Sequence, residues 1–152
     1  ELKRLVEHEV ADKKLPALSI ALVDDQKVVW AAGFGFQDRA KKTPATAETV
    51  YRVGSVSKLF TDVAIMQLVE EGKIDLDAPV AKYVPEFKPA YREGQKPVTL
   101  RMLMAHRSGL IREPPVGNYF DPTEPSLEKS VLSLNGIEPV YPPGERTKYS
   151  HA

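Results

Sequence analysis

The chain has 152 residues, 42% of them apolar, and 21 basic side chains balance 21 acidic ones to a net charge of zero. A chain of this length can bury about 70% of its extended surface around a real core. The charge balance argues against a sequence-independent nucleic-acid binder, which needs a surplus of Lys and Arg facing phosphates, and against a polybasic membrane-surface protein.

No apolar run approaches the roughly 20 residues needed to span a bilayer, and Glu1 opens a charged segment in place of a signal-type apolar core. The absence of cysteine removes disulfides, thiol nucleophiles and cysteine-ligated zinc. Leu2, Leu5, Val6 and Val10 share one face at helical spacing, which predicts an amphipathic surface helix over residues 1–13, with His8 on its polar side. Residues 17–23 are nearly all apolar, 24–27 form a polar turn, and 28–36 are apolar and aromatic. This pattern predicts a hairpin from a sheet covered on at least one face, with cover on both the expectation, and Trp30 packed in the core or against the sheet. A polar stretch follows at 37–49, then a short strand candidate at 50–53.

Residues 55–71 carry the strongest helix signal. Val56, Leu59, Phe60, Val63, Ile65, Met66, Leu68 and Val69 make its apolar surface so wide that the helix is expected to be nearly surrounded, and Gly72 is placed to end it. Thr99 is expected to cap a helix through His106 that Gly109 stops, and Ser126 another over 127–134. Seven of the 13 prolines lie beyond residue 113, so the C-terminal quarter reads as ordered loop. Within it the long segment 113–125, with Tyr119 and Phe120, is of the kind that carries function in compact domains. His106 falls near a helix C-terminus, where a structural role is the expectation. No histidines and carboxylates show metal-site spacing.

Gly54-Ser55-Val56-Ser57-Lys58 opens the apolar helix. A serine there sits where unpaired backbone N–H groups and the helix dipole stabilise an alkoxide or oxyanion. A lysine three residues on shares its face, and in an enclosed setting its neutral amine can take the serine proton. The alternative makes Ser55 an ordinary N-cap and Lys58 a solvated side chain facing Asp62.

The run from Tyr51 through Thr61, the following Leu68-Val69-Glu70-Glu71-Gly72-Lys73-Ile74-Asp75-Leu76-Asp77-Ala78-Pro79-Val80, the block Val98 to Leu110, and Pro143-Gly144-Glu145-Arg146-Thr147-Lys148-Tyr149-Ser150-His151 together resemble the serine β-lactamase and penicillin-binding-protein superfamily. The nearest branch is the class C β-lactamase-like group, which also holds esterases and D-amino-acid peptidases. The resemblance implies an α+β fold, with an antiparallel sheet flanked by helices over residues 1–54 and the nucleophile helix and a mostly helical lobe over 55–152. It implies Ser55 as the acylated nucleophile, Lys58 as its proton-accepting neighbour and Tyr149 as the motif tyrosine that relays a proton to the leaving group. The Ser55 backbone N–H becomes one oxyanion donor.

His151 stands where the family usually has an asparagine that contacts the substrate, and Tyr119 lies in the part of the helical lobe that borders the cleft; both are candidate substrate-binding residues. The family's third motif and its second oxyanion N–H lie beyond the matched blocks. The expected partners are therefore a small-molecule acyl substrate and either a second chain carrying the remaining strands or further copies of this one. No cofactor or metal is implied, and the family favours a periplasmic or secreted setting. Retention of Ser55, Lys58 and Tyr149 favours a serine acyl-transfer hydrolase acting on an ester, a β-lactam or a D-amino-acid peptide. The alternative is a non-catalytic relative that keeps the fold for binding or assembly.

Overall fold

The computed structural model describes residues 1–152, which fall into two compact units, residues 1–54 and 55–152. In the first, helix α1 (Leu2–Asp12) buries Val6 and leaves Leu2 and Leu5 largely exposed, so only a narrow strip of its apolar face is used. It ends on Lys14 in the left-handed region, where the amides of Lys14 and Leu15 turn back to Ala11 and Val10. Strands β1 (Ala17–Asp24) and β2 (Lys27–Asp38) pair antiparallel from Ala17↔Gly35 to Asp24↔Lys27, with a bulge between Leu22 and Val23. The two-residue turn Asp25-Gln26 has φ of 42° and 61°, the positive-φ hairpin turn whose twist matches that of the strands.

A third strand, β3 (Thr43–Pro44), pairs with the end of β2. It lies inside the polar stretch 37–49 and was not legible there, since two residues including a proline show no alternation. Gly33 admits it: a Cβ there would meet the Thr46 amide nitrogen at 2.3 Å.

Two expectations for this unit need correction. The hairpin is not covered on both faces: Phe34 is buried with Trp30 tilted against it, but Leu22, Val23, Val28 and Val29 at the turn end are exposed, because three strands and one helix supply too little surface. Residues 50–53 form no strand. Val50 is 94% exposed, and the segment has no ladder partner to satisfy its backbone.

In the second unit, helix α2 (Val56–Glu70) starts from Ser55 and ends where expected. Gly72 (φ 69°) donates to the Val69 carbonyl and Lys73 to that of Leu68, both at 2.9 Å. The expectation that this helix is nearly surrounded is not met within this chain: Leu59 is 62% and Phe60 70% exposed. The remaining elements of the unit are too short to enclose it. They are a 3₁₀ turn (Val80–Lys82), α3 (Leu100–Met104) and α4 (Leu127–Leu132). Thr99 and Ser126 cap the two helices as expected, accepting from the amides of Met102 and Lys129 at 3.3 Å. Both helices are shorter than predicted. His106 takes a left-handed conformation (φ 54°) that turns α3 two residues early, before Gly109 is reached. No helix is long and apolar enough to cross a membrane.

The core of this unit is Val80, Phe87, Val98, Leu110 and Leu134, with Val98 only 1% exposed. Asn135 staples the loop before it, donating to the Glu86 carbonyl at 2.8 Å and accepting from the Lys88 amide at 2.7 Å. Segments 106–112 and 148–152 are laced together. The Lys148 amide donates to His106 at 2.8 Å, the His151 amide to Arg112 at 2.7 Å and the Ser150 hydroxyl to Ile111 at 2.7 Å.

Gly109, within the first of these segments, packs closely on residues 139–141. Its φ is 75°, a Cβ on it would fall 2.2 Å from the Tyr141 carbonyl oxygen, and its own carbonyl accepts from the Val140 amide at 2.7 Å. Gly109→Ala is expected to destabilise the chain by more than about 1 kcal/mol, since strain and collision act together, and a lowered urea midpoint measures it.

Candidate active site

The site lies wholly within the second unit, at the start of α2. Ser55 precedes the helix in a helical conformation (φ −68°, ψ −9°) and its side chain does not cap the helix. A capping serine needs extended backbone to turn its oxygen onto the N2 or N3 amide. With helical backbone the hydroxyl faces outward, and Ser55 Oγ lies 2.5 Å from Tyr149 Oη. The ordinary N-cap alternative is therefore not what the residue does.

Lys58 is half-buried and reaches the same tyrosine, with Nζ 5.3 Å from the ring centroid. The lysine meets Tyr149, and no hydrogen bond joins it to Ser55. Lys58 also lines a cleft of about 260 Å³ with Asp62, His106 and His151. A larger open groove, about 1050 Å³ beside Asp77, Glu93 and Arg107, contains none of the candidate residues.

Tyr149 is held on several sides. The His106 ring lies 4.3 Å away at 33°, and its Nδ1 accepts from the Ser150 amide at 3.4 Å, so His106 has the structural role expected of it. The His151 ring stands edge-on at 5.1 Å. The Arg112 guanidinium lies 5.9 Å from the ring centroid. The hydrogen bond with Ser55, then the adjacent Lys58 ammonium and the charge of Arg112, hold the Tyr149 phenol below its ordinary range, with partial desolvation opposing them.

Tyr119 is not brought to this cluster by its ring, which packs on Phe120 at 5.1 Å and is 77% exposed. Only its backbone amide reaches toward the site, donating to Glu113 Oε2 at 3.3 Å. Sequence reasoning missed Arg112 and Glu113. They follow the Val98 to Leu110 block after Ile111, but as two ordinary charges they carry no spacing signal. The lacing of 106–112 to 148–152 alone brings them to Tyr149.

The lowered phenol yields a direct measurement. Tyr149 is expected to titrate below the ordinary value of about 10, and Ser55→Ala to move it upward by removing the largest cause. Tyrosine labelled at ¹³Cζ, assigned with Tyr149→Phe, reads both. Because the folded value is the depressed one, stabilisation from the phenolate is fully present above the ordinary value and lost as pH falls through the lowered midpoint. A midpoint at or above that of free tyrosine would contradict this geometry.

A family model described as Beta-lactamase matches residues 2–152. Among curated proteins, the mitochondrial serine beta-lactamase-like protein LACTB of Mus musculus is 36% identical over 97% of this chain and 26% of its own length. Among solved structures, the octameric penicillin-binding protein homologue from Pyrococcus abyssi superposes with a TM-score of 0.81 at 34% identity, over 97% of this chain and 35% of that one. EstCE1, a hydrolase with promiscuous acyltransferase activity, gives a TM-score of 0.81 at 27% identity, over 97% and 42% of the two chains. The chain spans between 26% and 30% of the length of the curated relatives it matches. An α+β arrangement, the β-lactamase/transpeptidase-like superposition and a family match over residues 2–152 agree: the chain belongs to the Beta-lactamase family.

Proposed function

We propose that this chain carries the acylation residues of a serine hydrolase acting on an ester, a β-lactam or a D-amino-acid peptide. Ser55 Oγ attacks the substrate carbonyl carbon, and its proton passes to the Tyr149 oxygen. The tetrahedral intermediate then collapses with cleavage of the bond to the leaving group, which takes the proton from Tyr149. The acyl group stays on Ser55 until water releases it by the same steps in reverse order. Lys58 keeps Tyr149 in the proton-accepting form, its charge favouring the phenolate. The Ser55 amide, at the positive end of α2, is one oxyanion donor. His151, in the cleft beside Lys58, contacts the substrate.

The observation that carries this reading is the 2.5 Å separation of Ser55 Oγ and Tyr149 Oη, 94 residues apart in sequence. A helix start needing only a cap has no use for such a partner. The second oxyanion donor comes from a further part of the fold, supplied by another chain, by longer sequence or by association of copies. Incubation with a fluorophosphonate and with a fluorescent penicillin, followed by peptide mapping, tests the reading. Label on the Ser55 peptide is expected. A folded protein that takes up neither probe when the part supplying the second donor is present would overturn it in favour of a binding or assembly role.

A further inference from the structure

We propose that Glu113 is a positioning residue for Tyr149, acting through Arg112 and His151, and that it ties the loop over residues 114–125 to the site. The inference rests on the reading of Tyr149 as the proton relay of Ser55. Three contacts converge on this one carboxylate. Its Oε1 lies 3.7 Å from His151 Nε2 and 3.9 Å from Arg112 Nε, and its Oε2 accepts the Tyr119 amide at 3.3 Å. Two of the three partners are neighbours of the Tyr149 ring, His151 edge-on at 5.1 Å and Arg112 at 5.9 Å. The third is the backbone of the exposed aromatic loop.

A surface ion pair between adjacent residues contributes little by itself, since solvent screens it and side-chain entropy opposes it. Glu113 differs from such a pair because its side chain is partly buried, 28% accessible against 65% for Arg112. Its backbone is also fixed beside the His151 amide, which donates to Arg112 at 2.7 Å. Arg112 has a long, flexible stem that would otherwise be free to leave the ring. The groups that face Tyr149 are Ser55 and Lys58 from α2, His106 after α3, and Arg112 and His151 from the laced segments. Glu113 contacts the last two and touches none of the reacting atoms.

Glu113→Gln and Glu113→Ala in the full chain separate the two parts of the proposal. Glutamine keeps an oxygen for the Tyr119 amide but loses the charge that holds Arg112. In both variants the Arg112 side chain is expected to leave the Tyr149 ring, read as loss of the NOE between the two side chains, and Ser55 labelling by a fluorophosphonate to slow by about tenfold. Amide exchange at Tyr119 is expected to accelerate in Glu113→Ala and much less in Glu113→Gln. Retention of the NOE between Arg112 and Tyr149 in Glu113→Gln would overturn the positioning role. Equal Tyr119 exchange in all three proteins would overturn the loop anchor. Both readouts are taken without turnover, so a parent protein that never labels at Ser55 rejects the acyl-transfer reading while Glu113 is still judged on its own measurements.

Discussion

Ser55→Ala, Lys58→Ala and the double variant are expected to lose acylation by a fluorophosphonate or an activated ester to a similar extent, about 10³-fold or more each. On the proposed assignment the three residues form one device, since Ser55 is the nucleophile only while Tyr149 takes its proton, and Tyr149 takes it only while Lys58 favours the phenolate. Removing any member disables the same step, and removing a second has little left to disable. Tyr149→Phe belongs to the same set, because it leaves the Ser55 hydroxyl with no acceptor at 2.5 Å. Residual labelling of Ser55 in Lys58→Ala and Tyr149→Phe reports what binding and the helix-terminal amide still supply. Losses that multiply, so that the double variant falls by the product of the single ones, would show that Ser55 and Lys58 act independently. Circular dichroism on each variant confirms that a loss is chemical and not one of folding, since Ser55 and Lys58 lie outside the buried cluster.

The second large effect is on stability. Phe87 is buried with Val80, Val98, Leu110 and Leu134 in the core of the unit spanning residues 55–152. Phe87→Ala removes most of an aromatic side chain from a site that a 3₁₀ turn and two short helices cannot collapse to fill. A cost of about 3–5 kcal/mol is expected, a large share of the 5–15 kcal/mol that holds a domain folded. Urea unfolding followed at 222 nm measures it. By contrast, Asp77→Asn, which breaks the exposed bidentate pair with Arg101 at 2.7 and 2.8 Å, is expected to move the midpoint far less. A Phe87→Ala midpoint no lower than that of Asp77→Asn would mean that this cluster does not hold the unit together. Leu110 gives the cluster a link to function, because it precedes the segment whose carbonyls at Ile111 and Arg112 receive Ser150 and His151.

The local rules were readable in the residues themselves. Helical spacing placed α1 and α2, apolar runs around Asp25-Gln26 placed the hairpin, and Thr99, Ser126 and Gly72 marked helix ends, because each signal acts within one or two turns of chain. Where α3 stopped short the deciding residue was equally local: His106 entered the left-handed region that is open to few non-glycine residues. Two readings failed because burial is not a local property. The wide apolar surface of α2 showed that something should cover the helix, but its cover depends on what packs there, and in this chain Leu59 and Phe60 remain open. The same holds for the turn end of the hairpin.

For the site, Ser55 and Lys58 were legible as a pair one helical turn apart, and Tyr149 only through the resemblance of its motif. That the serine hydroxyl meets the tyrosine, and that the lysine reaches the ring and not the serine, was decided by tertiary structure. The same is true of Arg112 and Glu113, two unremarkable surface charges until the pairing of residues 106–112 with 148–152 sets them around Tyr149. Sequence spacing determines which side chains share a helix face. Hydrogen bonds between segments some forty residues apart, whose loop-closure cost a shared core offsets, determine which of them meet.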